Sequence, residues 1–170
     1  MILYIFLLAL SIRLISLFIS IRNEKRLKQE GAIEHGKINS LVLTLSHIIF
    51  YGLCIYEGIH KNSEVQNLTY IGIALFTFSM IMLFLVINQL GSIWTVKLII
   101  AQNHKVNKSM LFKYIKHPNY FLNVIPELVA IAIICQAWTV LAIGLPVYLI
   151  PLIIRIAQEE KIMKQMVKDY

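Results

Sequence analysis

Polar residues break this chain into five apolar runs, at 1–21, 41–56, 68–90, 120–137 and 139–156. A helix crossing the hydrocarbon core of a bilayer needs roughly 20 residues, with a range of about 17–25. The first and third runs meet that length outright, and the third carries no charge at all. The second, fourth and fifth are shorter and reach it only with their flanking residues. Arg13 interrupts the first run, Pro126 and Glu127 the fourth, and Pro146 and Pro151 the fifth. Runs four and five follow one another almost without a linker, which predicts a tight helical hairpin. The pattern as a whole predicts an all-α integral membrane protein with five transmembrane helices.

Composition supports that reading. Of 170 residues, 58% are hydrophobic, and the mean hydropathy is +0.72. A soluble domain rarely exceeds half apolar, so the surplus has to face lipid. The length fits one domain, 1–170, divided into a three-helix part (1–90) and a carboxyl-terminal part (91–170). The first run lacks the basic start and small-residue cleavage site of a signal peptide and holds Arg13 in its middle, so it reads as a retained helix.

The net charge of +7 suggests nucleic acid until its distribution is considered. Arg22, Lys25, Arg26, Lys28 and Lys37 follow the first run, and Lys61 alone follows the second. Lys97, Lys105, Lys108, Lys113 and Lys116 follow the third, no basic residue lies in the turn near Trp138, and Lys161, Lys164 and Lys168 close the chain. This alternation is the mark of a membrane protein with its amino end outside and its carboxyl end cytoplasmic. It argues against a nucleic-acid partner. It also brings the stretch 91–119 and the end of the fifth run to one cytoplasmic face. Cys54 and Cys135 sit singly inside apolar runs, with no Cys/His spacing that points to a metal or a disulfide framework.

Several polar residues need a reason. Charges inside a membrane are costly and are functional candidates by default. Arg13 reads as a snorkelling residue or as the partner of a carboxylate such as Glu127. Glu127 itself lies beside Pro126, which tends to kink the helix, and it suits either a cavity wall or a structural pair. His47 reads as a satisfied interior histidine. In "RIAQEE", Arg155 and Glu159 stand one helical turn apart on one face, while Glu160 points aside. Acidic residues at a helix carboxyl end oppose the helix dipole, so a solvated pair and a functional site both remain open. In "KHPNY", Pro118 suits the first turn of a helix. That accounts for Pro118 and an interfacial Tyr120, but it leaves His117 and Asn119 without a structural reason.

Taken together, in this order and across one hairpin, the two motifs resemble those of the isoprenylcysteine carboxyl methyltransferase family. Its members carry R/K-H-P-x-Y before a membrane hairpin and R-x-x-x-E-E after it. Here these are Lys116-His117-Pro118-Asn119-Tyr120 and Arg155-Ile156-Ala157-Gln158-Glu159-Glu160. The stretches "RNEKRLKQEGAIEHG" and "WTVK" are similar to the bacterial branch, so the resemblance covers most of the chain. It implies S-adenosyl-L-methionine as cofactor and a lipophilic acid as methyl acceptor. Carried over by motif, the cofactor contacts would be His104, Lys105, Val106, Asn107, His117, Pro118, Asn119, Tyr120, Glu159 and Glu160. Arg155 and Glu159 would be catalytic, and Arg155, with Glu127, would meet the substrate. Phe112 stands where members often have a cofactor-contacting tyrosine, Leu122 replaces a glycine of the eukaryotic branch, and Lys97 occupies a polar cofactor-side position.

Methyl transfer from a sulfonium to an oxygen anion is an in-line displacement that depends on alignment. It requires no metal. Aromatic faces such as Tyr120 or Trp94 favour a sulfonium cation, and an arginine can clamp a carboxylate or enolate. The scattered glycines form no GxGxxG, so the nucleotide-binding turn of soluble enzymes is not in use. The expectation is an O-methyltransferase of the bacterial cell membrane with its site facing the cytoplasm. Its acceptor would be a long-chain polyketide such as an alkylpyrone, another lipid acid or enol, or a lipidated molecule. Methylation of S or N is the close alternative, and a non-enzymatic membrane carrier or assembly protein is the rival from another class.

Overall fold

In the computed structural model the described residues are 2–61, 65–100 and 110–166. The chain runs through helix α1 (Ile2–Gln29), strand β1 (Ile33–His35), α2 (Lys37–His60), α3 (Asn67–Leu90), strand β2 (Leu98–Ile100) and the short α4 (Met110–Tyr114). It ends with α5 (Ile125–Ile134) and α6 (Leu145–Met166). Among the described residues four helical stretches are long and apolar enough to cross a membrane: Leu3–Gln29, Lys37–His60, Asn67–Ile93 and Val140–Gln165. Their outward faces carry large apolar side chains, among them Leu8, Phe18, Ile48, Tyr70, Ile81, Ile143 and Ile153. In water that surface would be a liability; in a bilayer it is the solvated side.

The fourth apolar run behaves differently. Its helical stretch, Asn119–Ile134, is shorter than the others and is the most enclosed. Leu128, Ala130, Ile131, Ala132 and Ile134 have no exposed surface. Protein replaces lipid around it, chiefly α3. Gly72 of α3 makes the approach close, since a Cβ there would stand 2.8 Å from an Ile134 side-chain carbon. A π-helical turn, Asn119–Val124, leads into α5, and a second, Val140–Gly144, leads into α6. Each lies just ahead of a proline, Pro126 or Pro146, which cannot donate to the helix ladder, so the wider turn absorbs the break.

Two turns are capped in ways that fix the bundle. After α1, Ala32 N–H donates to Leu27 O and Gly31 N–H to Lys28 O, with Gly31 at φ +84°. This is the Schellman arrangement, in which glycine carries the left-handed position without penalty. After α5, Ala137 N–H donates to Ala132 O and Gln136 N–H to Ile133 O. The backbone N–H groups of Thr139 and Val140 then donate to the Glu57 carboxylate of α2, at 3.2 and 3.1 Å. A carboxylate at a helix start complements the dipole, so α2 holds the head of the last helix.

The sequence pattern gave no sign of strands, yet β1 and β2 pair antiparallel with Ile33 opposite Ile100, Glu34 opposite Ile99 and His35 opposite Leu98. This ribbon ties the α1–α2 connection to the segment after α3.

The charges inside the apolar runs meet one another. The Arg13 guanidinium pairs with the Glu127 carboxylate, as the sequence reading allowed, and Tyr51 O–H donates to the same carboxylate. His47 Nε2 lies 3.8 Å from Glu127, and its Nδ1 is 3.3 Å from the Tyr148 hydroxyl. Glu127 is fully buried, so α1, α2, α5 and α6 are joined through one enclosed carboxylate.

Candidate active site

The start of the α5 segment is built by backbone hydrogen bonds. The His117 carbonyl accepts from Tyr120 N–H at 3.1 Å and from Phe121 N–H at 3.2 Å. Pro118 sits in the first turn, where a missing N–H costs nothing. The rings of His117 and Tyr120 then stack, with centroids 5.9 Å apart and an interplanar angle of 25°.

The far end of α6 faces this wall. Tyr120 O–H donates to Glu159 Oε2 at 2.8 Å. His117 Nδ1 is 3.6 Å from Glu159 Oε1, and Nε2 is 3.5 Å from Glu160 Oε1. Lys116 Nζ stands 3.3 Å from Glu160. Burial disfavours the charged imidazole, but Glu159 and then Glu160 outweigh it and hold His117 above the ordinary histidine pKa.

Arg155, 2% exposed, is fixed by two neutral acceptors. Its Nη1 donates to Ser40 Oγ at 2.7 Å and its Nη2 to the Val96 carbonyl at 2.9 Å. Val96 belongs to a strap, 91–97, that α1 holds down. Asn23 Nδ2 donates to Gly91 O at 3.1 Å and to Trp94 O at 2.9 Å. Arg26 donates to Ser92 O at 2.6 Å, and Val96 N–H donates to Ser20 Oγ at 2.8 Å. Lys97 Nζ pairs with Glu24 at 2.6 Å. The guanidinium therefore has a set position before any ligand arrives.

These walls enclose a cavity of about 190 Å³. His117, Pro118, Asn119, Tyr120, Arg155 and Glu159 all line it, together with Trp94, Lys97, Phe112 and the strand β2. Glu160 does not line it and reaches it through His117 and Lys116, which do. His104, Lys105, Val106 and Asn107 lie outside the described residues. Glu127 does not line the cavity either, because its carboxylate is taken up by Arg13 and Tyr51. Phe112 presents carbon where a tyrosine would present a hydroxyl. No group of three or more His, Cys, Asp or Glu residues placed to hold a metal ion occurs among the described residues.

Sequence reasoning missed Ser40, Ser20 and Asn23, which position Arg155 directly or through the strap. No sequence signal marked them, since single small polar residues near helix ends are common and each acts on a segment far away in the chain.

Four membrane-length apolar helices, with a charged, largely enclosed cleft where the far ends of a helix pair meet, define an integral membrane protein with a site for a polar ligand. The chain belongs to the isoprenylcysteine carboxyl methyltransferase (ICMT) family, whose sequence model matches residues 72–165. Membership implies a methyltransferase in general kind. The matched segment contains every residue named above as lining the cavity, but not Ser40 or the α1 residues that brace the strap. The chain is 48% identical over 157 residues to an uncharacterized protein of Haemophilus influenzae, covering 92% of this chain and 91% of that one. It is 28% identical over 145 residues to the uncharacterized protein YpbQ of Bacillus subtilis, covering 85% of each. No solved structure matches.

Proposed function

We propose that this protein is an S-adenosyl-L-methionine-dependent O-methyltransferase that acts on a lipophilic carboxylate or enol at the membrane. In this reading the chain crosses the bacterial cell membrane five times, with its amino end outside and its cavity on the cytoplasmic side. The α5 segment is the fourth of these spans, shortened because it packs among helices. Residues 91–170 form the cofactor-binding part of a single domain. The observation that carries the proposal is that His117, Tyr120, Arg155 and Glu159 come from the two ends of one helix pair and line one cavity.

The lining suits such a cofactor. The Glu159 carboxylate and the stacked rings of His117 and Tyr120 offer a favourable surface to positive charge. The buried nitrogens of Arg155 and Trp94 offer donors to negative charge. When bound, the cofactor supplies a methyl group on a sulfonium. His117, Pro118, Asn119 and Tyr120 would hold it along one wall, with Glu159 opposite, and the family motif adds His104 to Asn107 to the proposed cofactor contacts. Arg155, already oriented by Ser40 and Val96, would present the acceptor anion in line; orientation of this kind supplies much of the rate of a displacement. The apolar residues of the cavity, such as Val86, Leu90 and Met163, would exclude water from the reacting oxygen. An acceptor with a long apolar tail would leave that tail in the lipid between helices. Glu127 is engaged with Arg13 and Tyr51 and is given no substrate contact here.

The test is transfer of label from methyl-labelled S-adenosyl-L-methionine into a bacterial lipid extract. Wild-type protein should label a lipid acid or enol. Arg155→Ala and Glu159→Ala should each abolish transfer and leave helicity unchanged. Full turnover by either variant would remove these residues from the mechanism, and label recovered on sulfur or nitrogen would change the acceptor.

A further inference from the structure

Three almost entirely buried residues that line the cavity carry a nitrogen without a hydrogen-bond partner. One, His117 Nδ1, stands 3.6 Å from the Glu159 carboxylate, and the other two have no such neighbour among the described residues. Trp94 is 2% exposed, as is Arg155, and both line the cavity. The indole Nε1–H of Trp94 and the Nε–H of Arg155 each have no acceptor. Neither group can accept a hydrogen bond, since indole and guanidinium nitrogens only donate. A buried donor left unmade is costly and calls for an explanation.

The two donors are mechanically linked. Arg155 Nη2 donates to the carbonyl of Val96, two residues beyond Trp94. The Trp94 carbonyl is in turn held by Asn23. The acceptors of the guanidinium, Ser40 Oγ and Val96 O, are neutral. Among the described residues no carboxylate lies within ion-pair distance of it. The two lysines in the lining are already matched, Lys97 by Glu24 at 2.6 Å and Lys116 by Glu160 at 3.3 Å. The two donor-only nitrogens without acceptors therefore belong to Arg155 and its neighbour on the strap.

We infer that Trp94 Nε1–H and Arg155 Nε–H form a two-donor seat for one carboxylate, one N–H to each oxygen or both to one. Trp94 thereby becomes a ligand-binding residue through its edge, independently of any contact its ring face makes. The inference rests on the methyltransferase reading for its choice of ligand. In that reaction a carboxylate has two sources, the acid that accepts the methyl group and the amino-acid end of the cofactor.

The experiment uses the full chain in neutral detergent micelles with ¹⁵N-labelled indole nitrogens. The protein has two tryptophans. Trp138 lies in the turn between α5 and α6, away from the cavity lining, so Trp138→Phe leaves a single indole resonance, that of Trp94. Three probes are added separately: S-adenosyl-L-methionine, its decarboxylated analogue, and palmitate. A saturable downfield shift with the complete cofactor but not with the decarboxylated one assigns the seat to the cofactor. A saturable shift with palmitate assigns it to the acceptor. In either case Trp94→Phe should weaken binding of that probe about tenfold or more, the scale of a lost hydrogen bond to a charged group. That loss should exceed any loss of decarboxylated-cofactor binding by about the same factor, whereas a merely misfolded variant would lose both alike. If neither carboxylate moves the resonance, the seat does not exist. Failure of wild-type protein to bind S-adenosyl-L-methionine at all overturns the methyltransferase reading separately, and the palmitate arm then still decides the seat.

Discussion

Replacing Arg13 with leucine removes the charge opposite a fully buried carboxylate. Glu127 has no exposed side-chain surface, whereas the Arg13 side chain keeps 16%. Without Arg13, Glu127 either stays ionised with only Tyr51 donating to it or takes up a proton. Breaking a buried pair by deleting one partner costs about 3–5 kcal/mol. The lower end applies here, because an unfolded chain still in the membrane also finds polar partners. Removing both charges, in Arg13→Leu with Glu127→Leu, has a different cost. Apolar replacement of a complete buried pair is close to neutral, and what remains is a Tyr51 hydroxyl without its acceptor, about 1–3 kcal/mol. The double variant should therefore be more stable than Glu127→Leu alone, with a coupling of at least about 2 kcal/mol. The assay is denaturant unfolding of the purified protein in detergent, followed by helicity. If the double variant loses the sum of the two single losses, the side chains act independently. The view of Glu127 as the junction of α1, α2, α5 and α6 would then be wrong.

Other consequences follow from single contacts. His117 has a raised pKa, so its ion pairing with Glu159 and Glu160 is fully present below the ordinary value of about 6.5 and is lost as pH rises through the folded value. Melting temperature measured from pH 6 to 9 should show wild type losing its advantage over His117→Asn as pH rises. Gly58→Ala places a Cβ 2.7 Å from the Cys135 carbonyl and should destabilise by about 1–3 kcal/mol. Gly52→Ala meets nothing within 4 Å and should stabilise by about 1 kcal/mol, so the two unfolding curves should move in opposite directions. Asn23→Ala frees the strap at Gly91 and Trp94, two bonds worth about 0.5–1.5 kcal/mol each. It should lower methyl transfer through a misplaced Arg155 while leaving the cavity's own side chains intact.

The parts of this architecture that were legible in the sequence are those in which one residue is out of place locally. Arg13 and Glu127 stand out because apolar runs surround them, and their pairing was a natural consequence. His117 and Asn119 stand out because a helix start explains the proline and the tyrosine but not them. Arg155 and Glu159 gained meaning from the short turn that returns α6 to the same face. What stayed hidden depends on distant partners. Three-residue strands are too short for alternation to register, and the pairing of Ile33 with Ile100 spans the two helices α2 and α3. Ser40 looks like any serine near a helix start until Arg155 donates to it. Pro126 and Pro146 announced a break in each helix without saying that a π-helical turn would carry it. In the sequence the fourth run is no shorter than the second or the fifth; what sets it apart is its enclosure among the other helices, chiefly α3, which depends on distant partners.

The central claim is that the His117–Tyr120 wall and the Arg155–Glu159 wall make one cofactor pocket. Equilibrium dialysis of radiolabelled S-adenosyl-L-methionine against the purified protein tests it most directly. Saturable binding at one site per chain is expected, weakened about tenfold or more in Glu159→Gln through loss of a charged contact. Absence of saturable binding by the folded wild-type protein, or undiminished binding by the variant, would contradict it.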